Sequence, residues 1–84
     1  MKSLKVFNDD GHGWLQVKKA DLEDLGIIDK ISPLSRTDGD WVYLEEDMDA
    51  KTYLDALGTD DVSFDEHYEK RSIVRDMGYF RESN

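Results

Sequence analysis

With 84 residues and no cysteine, the chain has room for one domain with a thin core, and offers no disulfide, thiol nucleophile or thiolate metal site. Its formal charge of −9 disfavours direct contact with a nucleic-acid backbone, and no apolar run is long enough to span a membrane. The first ten residues, MKSLKVFNDD, lack the apolar stretch of a signal peptide, so the expectation is a cytoplasmic protein.

The alternation of Leu4, Lys5 and Val6, closed by Phe7, predicts a short strand. NDDGHG reads as a loop and WLQVK as a second strand, together a β-hairpin over residues 4–18. In KADLEDLG the period changes: Leu22 and Leu25 are three apart, acids cluster early and Gly26 can close the end, so a helix of two turns at most is expected. Ile27, Ile28 and Ile31 continue the apolar supply as a buried connector. Pro33 stops any helix, and SPLSRTDGD reads as a loop with Asp38-Gly39 as its turn.

WVYLE is the strongest strand, apolar on both faces and therefore central. Ala50, Tyr53, Leu54 and Leu57 then fall on one helical face, with Asp47 or Asp49 available as N-cap and Gly58 as C-cap. VSFDEHY alternates again and predicts a strand over 62–68. Ile73, Val74 and Met77 have helical spacing in a short C-terminal appendage, 70–84. Trp14, Trp41, Tyr43, Tyr53 and Phe64 are expected in the core, whereas Tyr79 and Phe80 can dock on the domain or anchor a partner. The expectation is a single α+β domain in β-β-α-β-α-β order: one sheet of three to four mainly antiparallel strands with two short helices on one face.

The charge is uneven. Residues 1–37 are neutral and 70–84 carry +2, so residues 38–69 hold −11 with Lys51 as their one base. Helix capping accounts for one or two of Glu45, Glu46, Asp47 and Asp49, because only the first turn benefits. A calcium loop starting at Asp47 fails, since Thr52 stands where its glycine belongs and Gly58 where its bidentate glutamate belongs. The excess fits solubility or a docking face for a cationic protein surface. The tail cations Lys70, Arg71, Arg75 and Arg81 can fold back on the carboxylates of 38–69, the favoured expectation, or form a basic contact site.

Catalytic candidates are few. His12, with Asp9 and Asp10, can ligate a metal or form a base and its orienter, but more often such a histidine bonds locally in its loop. Ser63, Asp65 and His67 are the residue types of a hydrolytic triad, but one exposed strand is poor geometry for it. No glycine-rich loop opens a helix, and the residues call for no metal or other cofactor.

At GHGWLQV, LGIIDKISPLS, VYLEEDMDA and HYEKRSIVR the chain resembles a family of small proteins from phages, prophages and plasmids of bacteria. The shared segments are GHGWL-V, LGI-DKIS and VYLEED-D, and the likeness spans about residues 10–75. Where the family continues into an aromatic-rich YSY stretch this chain has Leu34, Ser35 and Arg36, and Met48 stands where the family often has cysteine. The resemblance implies a mobile-element origin and no particular reaction.

The leading expectation is therefore a non-enzymatic interaction protein. Its acidic region 38–69 would engage a basic surface of a host or phage protein, as a nucleic-acid mimic or as an inhibitor of a host defence complex. The candidate partner-binding residues are Glu45, Glu46, Asp47, Asp49, Asp60, Asp61, Asp65 and Glu66, with His12 and Arg75. A small metal-dependent or acid–base enzyme using His12 and nearby carboxylates is the alternative, and a protein that self-associates through an exposed edge strand is the third.

Overall fold

A computed structural model describes residues 2–80. The strands are β1 (Lys2–Asn8), β2 (Gly13–Lys18), β3 (Arg36–Asp38), β4 (Trp41–Glu45), β5 (Val62–Tyr68) and β6 (Gly78–Tyr79). The helices are α1 (Lys19–Asp24) and α2 (Asp49–Leu57). Short 3-10 turns cover Ile28–Lys30 and Ile73–Asp76. The class is α+β as expected, but the sheet has six strands in the order β5-β1-β2-β4-β3-β6 and is mixed, because β5 lies parallel to β1.

The extra strands come from weak local signals. Arg36–Asp38 has no apolar alternation, yet it pairs with β4 through a two-residue turn at Gly39-Asp40. Gly39 has φ +61°, the backbone that a type II′ hairpin requires at its first central residue. Gly78–Tyr79 is only two residues long and is a strand because β3 offers it an edge. The tail residues with helical spacing form a 3-10 turn, since Ser72 caps Val74 N–H and the chain extends again at Met77.

The side-chain period of two sorts the sheet into two faces. Val6 lies opposite Leu15, Leu15 opposite Leu44 and Val17 opposite Val42. These residues share one face with Leu4, and Leu22 of α1, Ile27, Ile31 and Tyr53 of α2 close over them as the main core. Both helices therefore sit on this front face. Burial pushes the Tyr53 phenol pKa up, against a smaller opposite pull from Lys2, and Tyr53 Oη has no hydrogen-bond partner among the described residues.

The back face has its own smaller core. Trp14 and Tyr43 project there, Phe7 meets Tyr43 edge-on at 5.6 Å, and fully buried Val74 covers them from the 3-10 turn of the tail. Two aromatic placements differ from expectation. Phe64 is 50% exposed and Trp41 is 38% exposed, because β5 is an edge strand and Trp41 lies at the end of β4. Tyr79 lies under the Arg36 guanidinium, 4.0 Å from ring centroid to carbon, and Phe80 packs on the front core. No helix among the described residues is long and apolar enough to cross a membrane.

Candidate functional site

The loop NDDGHG is built around one carboxylate. Asp9 Oδ1 accepts from Gly11 N–H at 3.0 Å and from His12 N–H at 2.9 Å, folding the loop back on itself. Its Oδ2 accepts from Ser72 N–H at 3.1 Å and from Arg75 Nε at 2.5 Å, while Arg75 Nη2 donates to Oδ1 at 2.9 Å. Asp9 therefore latches the C-terminal turn onto the back of the sheet. The Arg75 guanidinium holds the Asp9 carboxyl well below the usual carboxylate range, against a smaller opposite push from burial, with the three backbone N–H groups adding to it. A side chain at position 11 would meet this pair, since a Cβ there would stand 2.9 Å from Arg75 Nη2.

Asp49 is a second hub. It is 2% exposed and accepts from Ser32 N–H at 3.0 Å, Ser32 Oγ at 2.7 Å and Ser35 Oγ at 2.5 Å. Ser35 Oγ in turn accepts Glu45 N–H at 3.0 Å. This corrects two expectations. Asp49 is not on a docking face, because its oxygens are consumed inside the fold. Neither Asp47 nor Asp49 caps α2: the N-cap is Met48 and makes no side-chain capping bond. Gly58 does close α2, accepting the left-handed φ of +67°.

The remaining candidates fall into two places. His12, Glu45, Asp47 and Arg75 meet in one back-face groove of about 320 Å³, with Trp14, Arg36 and Tyr79 among its other walls. The loop histidine and the acidic junction, far apart in sequence, are thus neighbours. Both arginines there are engaged: Arg75 on Asp9, and Arg36 through Nη1 on the carbonyls of Arg75 at 3.2 Å and Met77 at 2.9 Å. Glu45 accepts Asp47 N–H at 2.5 Å, which curls the junction. His12, Asp9 and Asp10 do not form a metal-ligand set: among the described residues no group of three or more His, Cys, Asp or Glu is placed to hold an ion.

Asp60, Asp61, Asp65 and Glu66 lie on or just before β5, all exposed. Asp65 and His67 share the back side of this strand and bond at 3.1 Å, with the His67 ring stacked on Phe7. No bond joins Ser63 to His67 among the described hydrogen bonds, so the triad types do not assemble in order. On the front side, Glu66 and Glu46 line a shallow groove of about 290 Å³ whose floor includes Val6, Ala50, Leu54 and Phe64. The acidic junction and the acidic strand meet at this groove.

Two of the tail cations, Arg71 and Arg75, bond to carboxylates outside the acidic region rather than within it. Arg75 takes Asp9, and Arg71 pairs with Asp76 through two bonds of 2.9 Å. Asp9 and Asp76 both lie outside 38–69, and Arg81 lies outside the described residues. Asp9, Ser32, Ser35, Arg36 and Tyr79 carry more of the geometry than sequence reasoning assigned to them. The signal was present only as polar residues in loops, and their partners are distant in sequence. No protein-family model, curated protein or solved structure matches this chain.

Proposed function

We propose that the chain is a non-enzymatic protein-interaction module whose acidic surface docks on a basic surface of a host or phage protein. The observation that carries this reading is an excess of exposed carboxylates over cations. Lys51 pairs with Asp55 and the His67 ring bonds to Asp65, but both contacts are exposed and so worth little. Glu46 and Glu66 face solvent beside exposed Phe64, and Asp60 is exposed just before the same strand. An acidic rim around apolar side chains is a surface that a basic partner recognises by charge and holds by contact. A protein that handles nucleic acid presents such a basic surface, and the resemblance to phage and plasmid proteins favours a partner of that kind. Asp9, the best-placed carboxylate near His12, is bound to Arg75 with a depressed pKa and makes a poor general base.

The test is capture from bacterial lysate by tagged protein, washed at low and then high salt. It compares the native chain with the combined variant Glu46→Gln, Asp60→Asn, Asp65→Asn and Glu66→Gln, which leaves buried Asp49 intact. A partner retained at low salt, released at high salt and lost in the variant is expected. Retention indifferent to both salt and neutralisation would refute the reading.

A further inference from the structure

The two edges of the sheet are unlike. β6 is two residues long, whereas β5 is seven residues long without glycine or proline. In the parallel pairing of β5 with β1, Asp61 carbonyl accepts from Lys2 N–H and Glu69 N–H donates to Asn8 carbonyl. A parallel ladder alternates, so the odd-numbered residues of β5 spend their backbone groups on β1. Val62, Phe64, Glu66 and Tyr68 therefore direct N–H and C=O away from it, and among the described residues no strand pairs there. An open edge of this length is a template for an added strand unless something guards it. The guard here is charge.

We propose that the open edge of β5 accepts a basic, extended segment of the partner as a seventh strand. The proposal rests on the acidic-docking reading and names its partner chemistry and mode. Backbone pairing supplies register, and alternate side chains supply selectivity. Residues of the incoming strand on the front side would meet Phe64, 50% exposed, and the apolar groove rimmed by Glu46 and Glu66. Those on the back side would meet Asp65. Lysine or arginine interspersed with β-branched residues satisfies both sides.

A second copy fits less well. The full-length twofold antiparallel register places Asp65 against Asp65 and Asp61 against Glu69, like charges directly opposite.

Proline at position 66 separates the edge from the charge. Its missing N–H is one that points away from β1, so the sheet is retained and the added strand loses a bond and meets the ring. The probe is a synthetic peptide of about ten residues alternating lysine with valine and threonine, matched by a copy N-methylated on alternate amides and a copy with glutamate for lysine. Binding is read by calorimetry and amide chemical shifts at low salt. The lysine peptide is expected to bind the native chain and shift amides of β5. Glu66→Pro should weaken it about tenfold, Glu66→Gln only about two- to threefold, and N-methylation should cost about as much as proline.

If Glu66→Pro disrupts the fold, the N-methylated peptide decides alone. Equal binding of methylated and unmodified lysine peptides would overturn the edge mode and leave acidic docking standing. No preference for the lysine over the glutamate peptide would overturn both. A concentration-dependent dimer by sedimentation, abolished by Glu66→Pro, would overturn the basic partner in favour of a second copy.

Discussion

Asp9 and Asp49 are both buried, and each knots distant parts of the chain together. Each gathers donors from segments far apart in sequence: Asp9 joins the β1–β2 loop to the tail, and Asp49 joins α2 to the loop after Ile31. Truncating Asp49 to alanine leaves three donors without their acceptor. We expect a loss of about 2–3 kcal/mol by chemical denaturation, because orphaned buried donors cost more than the bond itself gained. Tyr53→Phe is the contrasting case. Its hydroxyl makes no hydrogen bond of good geometry and meets only the charge of Lys2, so denaturation should show a change within about 0.5 kcal/mol or a small gain.

Asp9 makes a pH prediction. Its folded pKa is depressed by Arg75, so its contribution is present above the unfolded value of about 3.9 and is lost as pH falls toward the folded value. Asp9→Asn should therefore be less stable than the native chain at neutral pH. Thermal melts should show the gap closing as pH falls below about 4. A gap that stays constant would mean the ion pair contributes nothing specific.

At the scale of elements, the C-terminal turn completes the molecule as much as any strand does. Val74 seals Trp14 and Tyr43 on the back face. Val74→Ala removes two methyl groups from a filled site and should cost about 2 kcal/mol, a fall in Tm of roughly 8–16 °C for a chain of this size. The β3–β4 hairpin depends on its turn. Gly39→Val forces a β-branched residue into positive φ and should destabilise by about 1–2 kcal/mol, with β3 amides exchanging fastest. WVYLE and the helix 49–57 were readable because each carries a dense, unambiguous period. Arg36–Asp38 and Gly78–Tyr79 were not, because a two- or three-residue strand has too few positions to show one. Their pairing partners make them strands.

Across the whole molecule the excess of carboxylates raises the free energy of the compact state through self-repulsion. Added salt screens that repulsion, so Tm should rise by several degrees between about 10 and 150 mM ionic strength. The same salt should weaken capture of a basic partner. Charge that only kept the protein soluble would give the first effect without the second.

The class, the main hairpin, the central strand, both helices and the location of the charge are properties of local pattern, and the sequence by itself determined them. Side-chain period and turn chemistry act over a few residues and need no knowledge of the rest. What only the tertiary structure decided is which residues meet. It brought His12 beside Glu45 and Asp47, withdrew Asp49 from the surface, spent Arg75 on Asp9, and set β5 parallel to β1 with no strand on its other edge among the described residues. Strand order is set by long-range burial and by the competition of distant donors for a few carboxylates. None of that is written in the spacing of neighbours along the chain.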